Sequence, residues 1–199
     1  MPGDERGSAD DAMLKLYGGA RSRAAIAHWY LEEKGLDYEF VQLDMEAGEH
    51  RQPAFLEINP VGKVPAITDG GLKLWESGAI LLYLAEKAGE LTAHALQARM
   101  ETAQWVIFAN ATLAPNLFME SAREREMPKL LAPLEQTLGE RSFLLGEELT
   151  AADVAVGAYL TYAQLMLGLT FDGHPQLQAY LERLSQREAF QKNIGTRSA

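Results

Sequence analysis

Residues 63–88 read KVPAITDGGLKLWESGAILLYLAEKA. Residues 63–68 and 73–75 are short apolar runs, and Asp69-Gly70-Gly71 between them is a tight-turn signal, so the pair predicts a β-hairpin. Residues 76–88 then carry apolar side chains at helical spacing, and Gly89 is a natural helix stop. Pro65 is at odds with a central strand, because it cannot donate to the ladder. A cis peptide bond between Val64 and Pro65 at the strand entry would reconcile it. Upstream, residues 13–17 (MLKLY) predict a strand broken by Gly18-Gly19. Residues 22–34 predict a helix carrying Ile26, Trp29 and Tyr30, with Gly35 as the stop. Residues 38–43 (YEFVQL) alternate like a strand, and a short helix is expected over 53–58. A strand–helix–strand unit implies parallel pairing, and the hairpin adds an antiparallel pair. The expected result is an α/β unit, a four-stranded mixed sheet with helices against it.

Downstream the pattern is all-α. Residues 93–122 predict one long helical segment that Pro115 should kink or break. Residues 128–141 predict another helix. In Leu149-Thr150-Ala151-Ala152-Asp153-Val154, Thr150 caps, Asp153 at N3 reaches back, and Leu149 with Val154 forms a staple. This start opens residues 154–171, which carry no charge and touch the lower length limit of a membrane span. Their threonines, glycines and tyrosines read instead as a buried helix of a soluble protein. A Gly173-His174-Pro175 break precedes a last helix over 176–187. The chain therefore divides into a flexible acidic tail (1–12), a sheet-containing domain (13–89), a linker (90–96) and an all-helical domain (97–199).

The 199 residues are 47% hydrophobic, enough to bury a sizeable core. Eighteen Lys+Arg against 28 Asp+Glu give a net charge of -10, which repels phosphate backbones and anionic lipid. Nucleic-acid and membrane partners are therefore not expected. There is no cysteine, which excludes disulfides, cysteine metal sites and any protein thiol nucleophile. This fits a cytoplasmic protein, and any thiol chemistry must use a thiol that arrives from outside. No metal-binding pattern stands out. Residues 1–11, MPGDERGSADD, have no apolar core of a signal peptide.

Four groups of residues have the chemistry of a binding site. Ser22 falls at a helix N-terminus between Arg21 and Arg23, where free N–H groups and the helix dipole favour a phosphate or a thiolate. Taken alone it reads first as a plain helix cap. The backbone of Val64, before Pro65, can pair with a bound peptide as an added strand would, and the pair reads equally as a plain strand-end proline. Glu76 suits an ammonium group and Ser77 a carboxylate, which together match an α-amino-acid end. The same two residues also read as a first-turn acid beside a cap. His50 and Lys63, on loops, suit a second carboxylate, although a loop histidine can simply be solvated. The Gly18–Ser22 spacing matches no phosphate-binding P-loop.

The pattern LYGGARSRA, then EHRQPAFLEINPVGKVPAITDGG, then LWESGAILLYLAEK resembles the N-terminal domain of soluble glutathione transferases. NPVGKVPAI with ESGAILLYL is its most specific part. LTAADVAVGAYL is similar to the family's helical domain, so the resemblance runs from residue 13 to the C-terminus. The opening YGGARSR looks closest to the bacterial chi class. The resemblance implies a thioredoxin-like domain followed by an all-helical one, in a homodimer. It implies reduced glutathione as co-substrate, no cofactor, and a small electrophile as acceptor, isothiocyanates among them. Carried over by position, Glu76 and Ser77 would hold the γ-glutamyl end, and Val64 before cis-Pro65 would pair with the cysteinyl backbone. His50 and Lys63 would meet the glycyl carboxylate. Ser22 would donate a hydrogen bond to the sulfur, with Arg23 and Arg21 as helpers and Tyr17 as the reserve donor. Trp105, Phe108, Ala109 and Thr112 follow helical spacing and are expected either to line the acceptor pocket or to be core. Branches of the family that use a cysteine, and reduce disulfides with it, are expected to be excluded. A transferase fold that binds ligands or assembles without turnover is the alternative.

Overall fold

Leu16 and Gly18 are buried while Lys15 and Tyr17 are half-buried, the alternation of a strand with one face on a core. The computed structural model describes residues 13–91 and 95–195; the expected tail and residues 92–94 of the expected linker lie outside them. Four strands, β1 (Lys15–Gly18), β2 (Glu39–Gln42), β3 (Ala66–Asp69) and β4 (Leu72–Trp75), form one mixed sheet in the order β2-β1-β3-β4. β1 runs parallel to β2, with Gly18 opposite Gln42. β3 is antiparallel to β1, with Tyr17 opposite Ala66, and to β4, with Ala66 opposite Trp75. The predicted hairpin is present, turning through Gly70 at φ 57°. Leu16 and Ile67 join a core with Ile26 of α1 (Ala24–Lys34) and Ile80 and Leu84 of α3 (Ser77–Lys87). Tyr17 meets Phe55 of the short helix α2 (Pro53–Leu56), with ring centroids 6.0 Å apart.

The pairing directions bring four chain segments to one edge of the sheet. The chain leaves β1 after Gly18, leaves β2 after Gln42, enters β3 before Ala66 and leaves β4 after Trp75, all at that edge. Every group singled out for binding sits within a few residues of one of these ends, or on the loop that follows.

The helical unit departs from expectation in its first segment. α4 (Leu96–Ile107) widens into a π turn over Phe108–Leu113, continues as α5 (Ala114–Phe118) and turns at the extended Met119 into α6 (Glu120–Glu140). Pro115 does not break the segment. It falls in the first turn of α5, just after the wide turn has abandoned the α ladder, so its missing N–H interrupts nothing. α6 starts at Glu120 rather than at 128 and contains Pro128 and Pro133, both on its exposed side.

α7 (Ala151–Leu167) is buried without interruption from Ala151 to Ala163. Its capping box forms as expected from Thr150 and Asp153. It stops at Gly168, in the left-handed conformation at φ 68°, rather than at 171. Asp153 is fully buried, and burial pushes its carboxyl up. Four donors oppose that: the Leu144 and Thr150 N–H groups and the Thr150 and Tyr180 hydroxyls, at 2.8 to 3.2 Å. A Cβ on Gly157 would lie 2.3 Å from Leu184 Cδ1 and 3.6 Å from Trp29, so α7 meets its neighbours here through bare backbone. α8 (Pro175–Ser185) is followed by a short α9 (Glu188–Phe190) and a second π turn (Gln191–Gly195), neither of them anticipated. Phe190 packs edge-on against Trp29 at 5.0 Å.

Glu90 ties the two units together. One carboxylate oxygen accepts from the Ala151 N–H at the start of α7 (2.9 Å). The other accepts from the Tyr30 hydroxyl (2.9 Å) and pairs with Lys34 (3.0 Å). Lys34 also donates to the Leu149 carbonyl at 3.2 Å. No helix among the described residues is long and apolar enough to cross a membrane.

Candidate active site

Between β1 and α1 the chain makes a tight turn held by one side chain. Ser22 Oγ accepts from the Gly19 N–H (3.1 Å) and the Ala24 N–H (3.3 Å) and donates to the Gly19 carbonyl (3.0 Å). The hydroxyl thus shapes the turn and serves the first helical N–H, while Arg23 occupies the N-cap position. Donating to a ligand would take its proton off the Gly19 carbonyl. Arg21 and Arg23 are exposed beside it. Arg21 and Ser22 line a cavity of about 1000 Å³ whose opposite wall is the loop after β2, including Asp44, Met45 and Glu49.

Ladder pairing of β3 with β1 begins at Ala66, so Val64 stands outside the sheet, and the Val64–Pro65 bond is cis as expected. Asn59 shapes the loop that delivers it. Its amide donates to the Lys63 carbonyl (2.6 Å) and its carbonyl accepts from the Val61 N–H (3.0 Å). A second cavity, of about 490 Å³, brings together Val64, Lys63, His50 and Met45. Arg51 lines it too, a cation the sequence reading passed over although it adjoins His50. His50 Nδ1 is buried and has no hydrogen-bond partner among the described residues.

Glu76 has φ 72° and ψ 119°, a conformation that non-glycine residues rarely adopt and that costs on the order of 1–3 kcal/mol. Its carboxylate is exposed. Ser77, at the first position of α3, is only 2% exposed, and its hydroxyl does not cap the helix. It donates instead to Asn110 Oδ1 in the π turn, at 2.9 Å. The Tyr159 hydroxyl of α7 donates to the same oxygen at 2.8 Å, and the Asn110 amide donates to the Val106 carbonyl at 2.9 Å. A Cβ on Gly78 would lie 3.1 Å from the Asn110 nitrogen, so the glycine admits this approach. The sequence reading missed Asn110. Its one signal is a lone amide in the mainly apolar run FANATLAP.

Of the four residues expected to line the acceptor pocket or to be core, three pack on the core. Trp105 and Phe108 meet edge to face at 5.6 Å and pack on the core, and Trp105 lines a cleft between α4 and α6. Ala109 is fully buried, and Thr112 is exposed. The cause is the π turn, whose i→i+5 bonds advance the helix face so that a 3.6-residue spacing no longer holds across it. Tyr17 faces Phe55 rather than the turn at Ser22, because it alternates out on the α2 side of β1.

A thioredoxin-like sheet unit, with its ligand-ready edge against an all-helical unit, defines the class as that of glutathione-dependent transferases. Residues 12–86 match the glutathione S-transferase N-terminal domain, and residues 119–183 match the glutathione S-transferase C-terminal domain. The chain belongs to the glutathione S-transferase family and is an enzyme of that family. It is 34% identical to Glutathione S-transferase 3 of Zea mays, over 92% of this chain and 94% of that protein. It is 32% identical to the disulfide-bond oxidoreductase YfcG of Escherichia coli, over 89% and 92%. Among solved structures, a glutathione transferase family member from Pseudomonas fluorescens with two glutathiones bound matches at a TM-score of 0.78 and 29% identity. That match covers 94% of this chain and 95% of the other.

Proposed function

We propose that the enzyme conjugates reduced glutathione to small electrophiles, isothiocyanates among them, and that Ser22 holds the thiolate. The observation that carries this reading is the convergence of the four strand ends at one sheet edge. Laid along that edge, the γ-glutamyl end meets Glu76 and the N-terminus of α3, and the cysteinyl backbone pairs with Val64 before Pro65. The glycyl carboxylate reaches His50 and Lys63, with Arg51 adding charge. The sulfur points to Ser22 at the N-terminus of α1, with Arg21 nearby and Arg23 at the cap position. A free thiol has a pKa of about 8.5, and lowering it by two units takes about 2.7 kcal/mol of preferential thiolate stabilisation. The Ser22 hydroxyl, the helix N-terminus and the arginines all act in that direction. With an isothiocyanate, the sulfur bonds to the central carbon and the nitrogen takes up a proton, so nothing leaves.

The test is Ser22→Ala with an ultraviolet titration of the bound thiol. The expected result is turnover lowered at least about tenfold, glutathione affinity within about twofold, and a thiol pKa returned toward its free value. Unchanged turnover would remove Ser22 from the mechanism. Wild-type binding with no lowered thiol pKa would favour the non-catalytic alternative.

A second reading is favoured by the likeness to a disulfide-bond oxidoreductase and to a structure holding two glutathiones. Without a cysteine in the chain, both thiols would be glutathione's. One thiolate attacks the disulfide and releases a thiol, and the second glutathione attacks the mixed disulfide, leaving oxidised glutathione and a second thiol. The cavity of about 1000 Å³ beside Ser22 has room for such a partner. Turnover of a small disulfide with glutathione, compared with turnover of an isothiocyanate, separates the two. We place the enzyme in the cytoplasm as a homodimer. Exposed Trp75 on edge strand β4, with Leu96 and Met100 on α4, supports that association. Residues 13–89 are read as the glutathione-binding domain and 97–199 as the helical domain, joined by 90–96.

A further inference from the structure

Met45 lines both cavities of the site, the one containing Ser22 and the one containing Val64, His50 and Lys63. Its backbone is held by its own loop. Asp44 Oδ1 accepts from the Glu46 and Ala47 N–H groups at 2.9 Å each. The Asp44 N–H donates to the Glu49 carboxylate at 2.7 Å, and the Glu49 N–H returns a bond to the Asp44 carbonyl at 3.0 Å. The side chain lies against the thiol turn: a Cβ on Gly19 would be 2.5 Å from Met45 Cγ and 3.1 Å from Sδ. Gly19 is the residue whose N–H and carbonyl engage the Ser22 hydroxyl. Met45 is nevertheless 37% exposed, an apolar, flexible side chain among acidic neighbours.

We propose that Met45 is a specificity-determining residue, the shared wall that covers a thiol peptide between its sulfur and a carboxylate one residue beyond the cysteine. The proposal rests on the glutathione reading above and deepens it. With the cysteinyl backbone on Val64 and the sulfur at Ser22, the ligand crosses from one cavity to the other beside Met45. The glycyl residue then lies beneath the thioether on its way to His50 and Lys63. A thiol that stops at cysteine leaves that stretch empty and gains less from the cover.

The test compares glutathione with γ-glutamylcysteine, using benzyl isothiocyanate as the common acceptor, in the wild-type chain, Met45→Ala and Met45→Leu. Calorimetric binding of glutathione to the wild type is measured first, and its absence would overturn the glutathione reading and this proposal together. Given binding, Met45→Ala is expected to raise the glutathione KM about three- to tenfold, the effect of one to two methylene groups of apolar contact. The change should fall on KM rather than kcat, and γ-glutamylcysteine should be affected much less. Met45→Leu should recover most of the lost discrimination. An unchanged glutathione KM would overturn the assignment while leaving the glutathione reading intact. Equal shifts for both thiols would do the same, marking Met45 as a support of the turn.

Discussion

Asn110 spends one carbonyl oxygen on two hydroxyls, Ser77 on α3 and Tyr159 on α7. With its single proton given to Asn110, the Ser77 hydroxyl offers a ligand only its oxygen, so in the proposed reading the γ-glutamyl carboxylate would rest on the N–H groups that open α3. Asn110→Ala leaves two buried hydroxyls without an acceptor and removes the tie that holds the start of α3, with its N–H groups, against the π turn. The expected outcome is a glutathione KM raised about tenfold with kcat within about twofold, read from steady-state kinetics at varied glutathione. Ser77→Ala should cost less, because the N–H donors remain. Such bridges are hard to read in a sequence. The places of Ser22, Val64, Glu76 and Ser77 at helix starts and before a cis proline were legible because those features have local signatures. Asn110 acts through a contact 33 positions away, which no local pattern reports.

The capped start of α7 was legible for the same reason, since its signal fits within six residues. The π turns were not, because the i→i+5 pattern is imposed by packing and leaves no period of its own. Asp153 does more than cap. It gathers donors from the loop before α7 and from α8, and it is fully buried. Asp153→Ala should destabilise the chain by about 3 kcal/mol or more, and Thr150→Ala by about 1 kcal/mol. Urea unfolding should show lower midpoints with an unchanged slope. Gly157→Ala should cost about 1–3 kcal/mol, because the added methyl meets Leu184 at a distance no side chain tolerates.

Across the fold, the four-stranded mixed sheet, its parallel strand–helix–strand unit, the hairpin and the helical second half were foreseen, because alternation, turns and caps are local; the strand order and the β1–β3 pairing were not. How the units meet was not foreseen, because Glu90 binds partners far along the chain. Burial and the neighbouring Glu90 carboxylate hold the Tyr30 phenol far above its usual range. Glu90→Gln retains only one acceptor oxygen and loses the charge that faces Lys34. Stability should fall by about 1–2 kcal/mol, seen as a lower midpoint of thermal unfolding. Acid stability has a different source. Burial alone would raise the Asp69 carboxyl, but hydrogen bonds from Lys87 and Tyr83, with the Lys87 charge, bring it below its ordinary value. The unfolded chain therefore takes up this proton first as pH falls. The contribution is complete above the ordinary carboxylate range and is lost as pH drops toward the folded value. Asp69→Asn should lower the thermal midpoint at neutral pH and narrow its gap to the wild type near pH 3.

The Ser77–Asn110–Tyr159 contact also bears on how such enzymes can be recombined. A chimera that grafts this sheet unit onto a foreign helical half would keep every strand-end group, yet Ser77 would face whatever that half supplies. Installing an asparagine and a tyrosine at the matching places should restore thiol affinity without bringing back the parent's choice of acceptor. Half-swaps between relatives would then succeed or fail on two side chains of the donor, whatever the overall similarity of the halves.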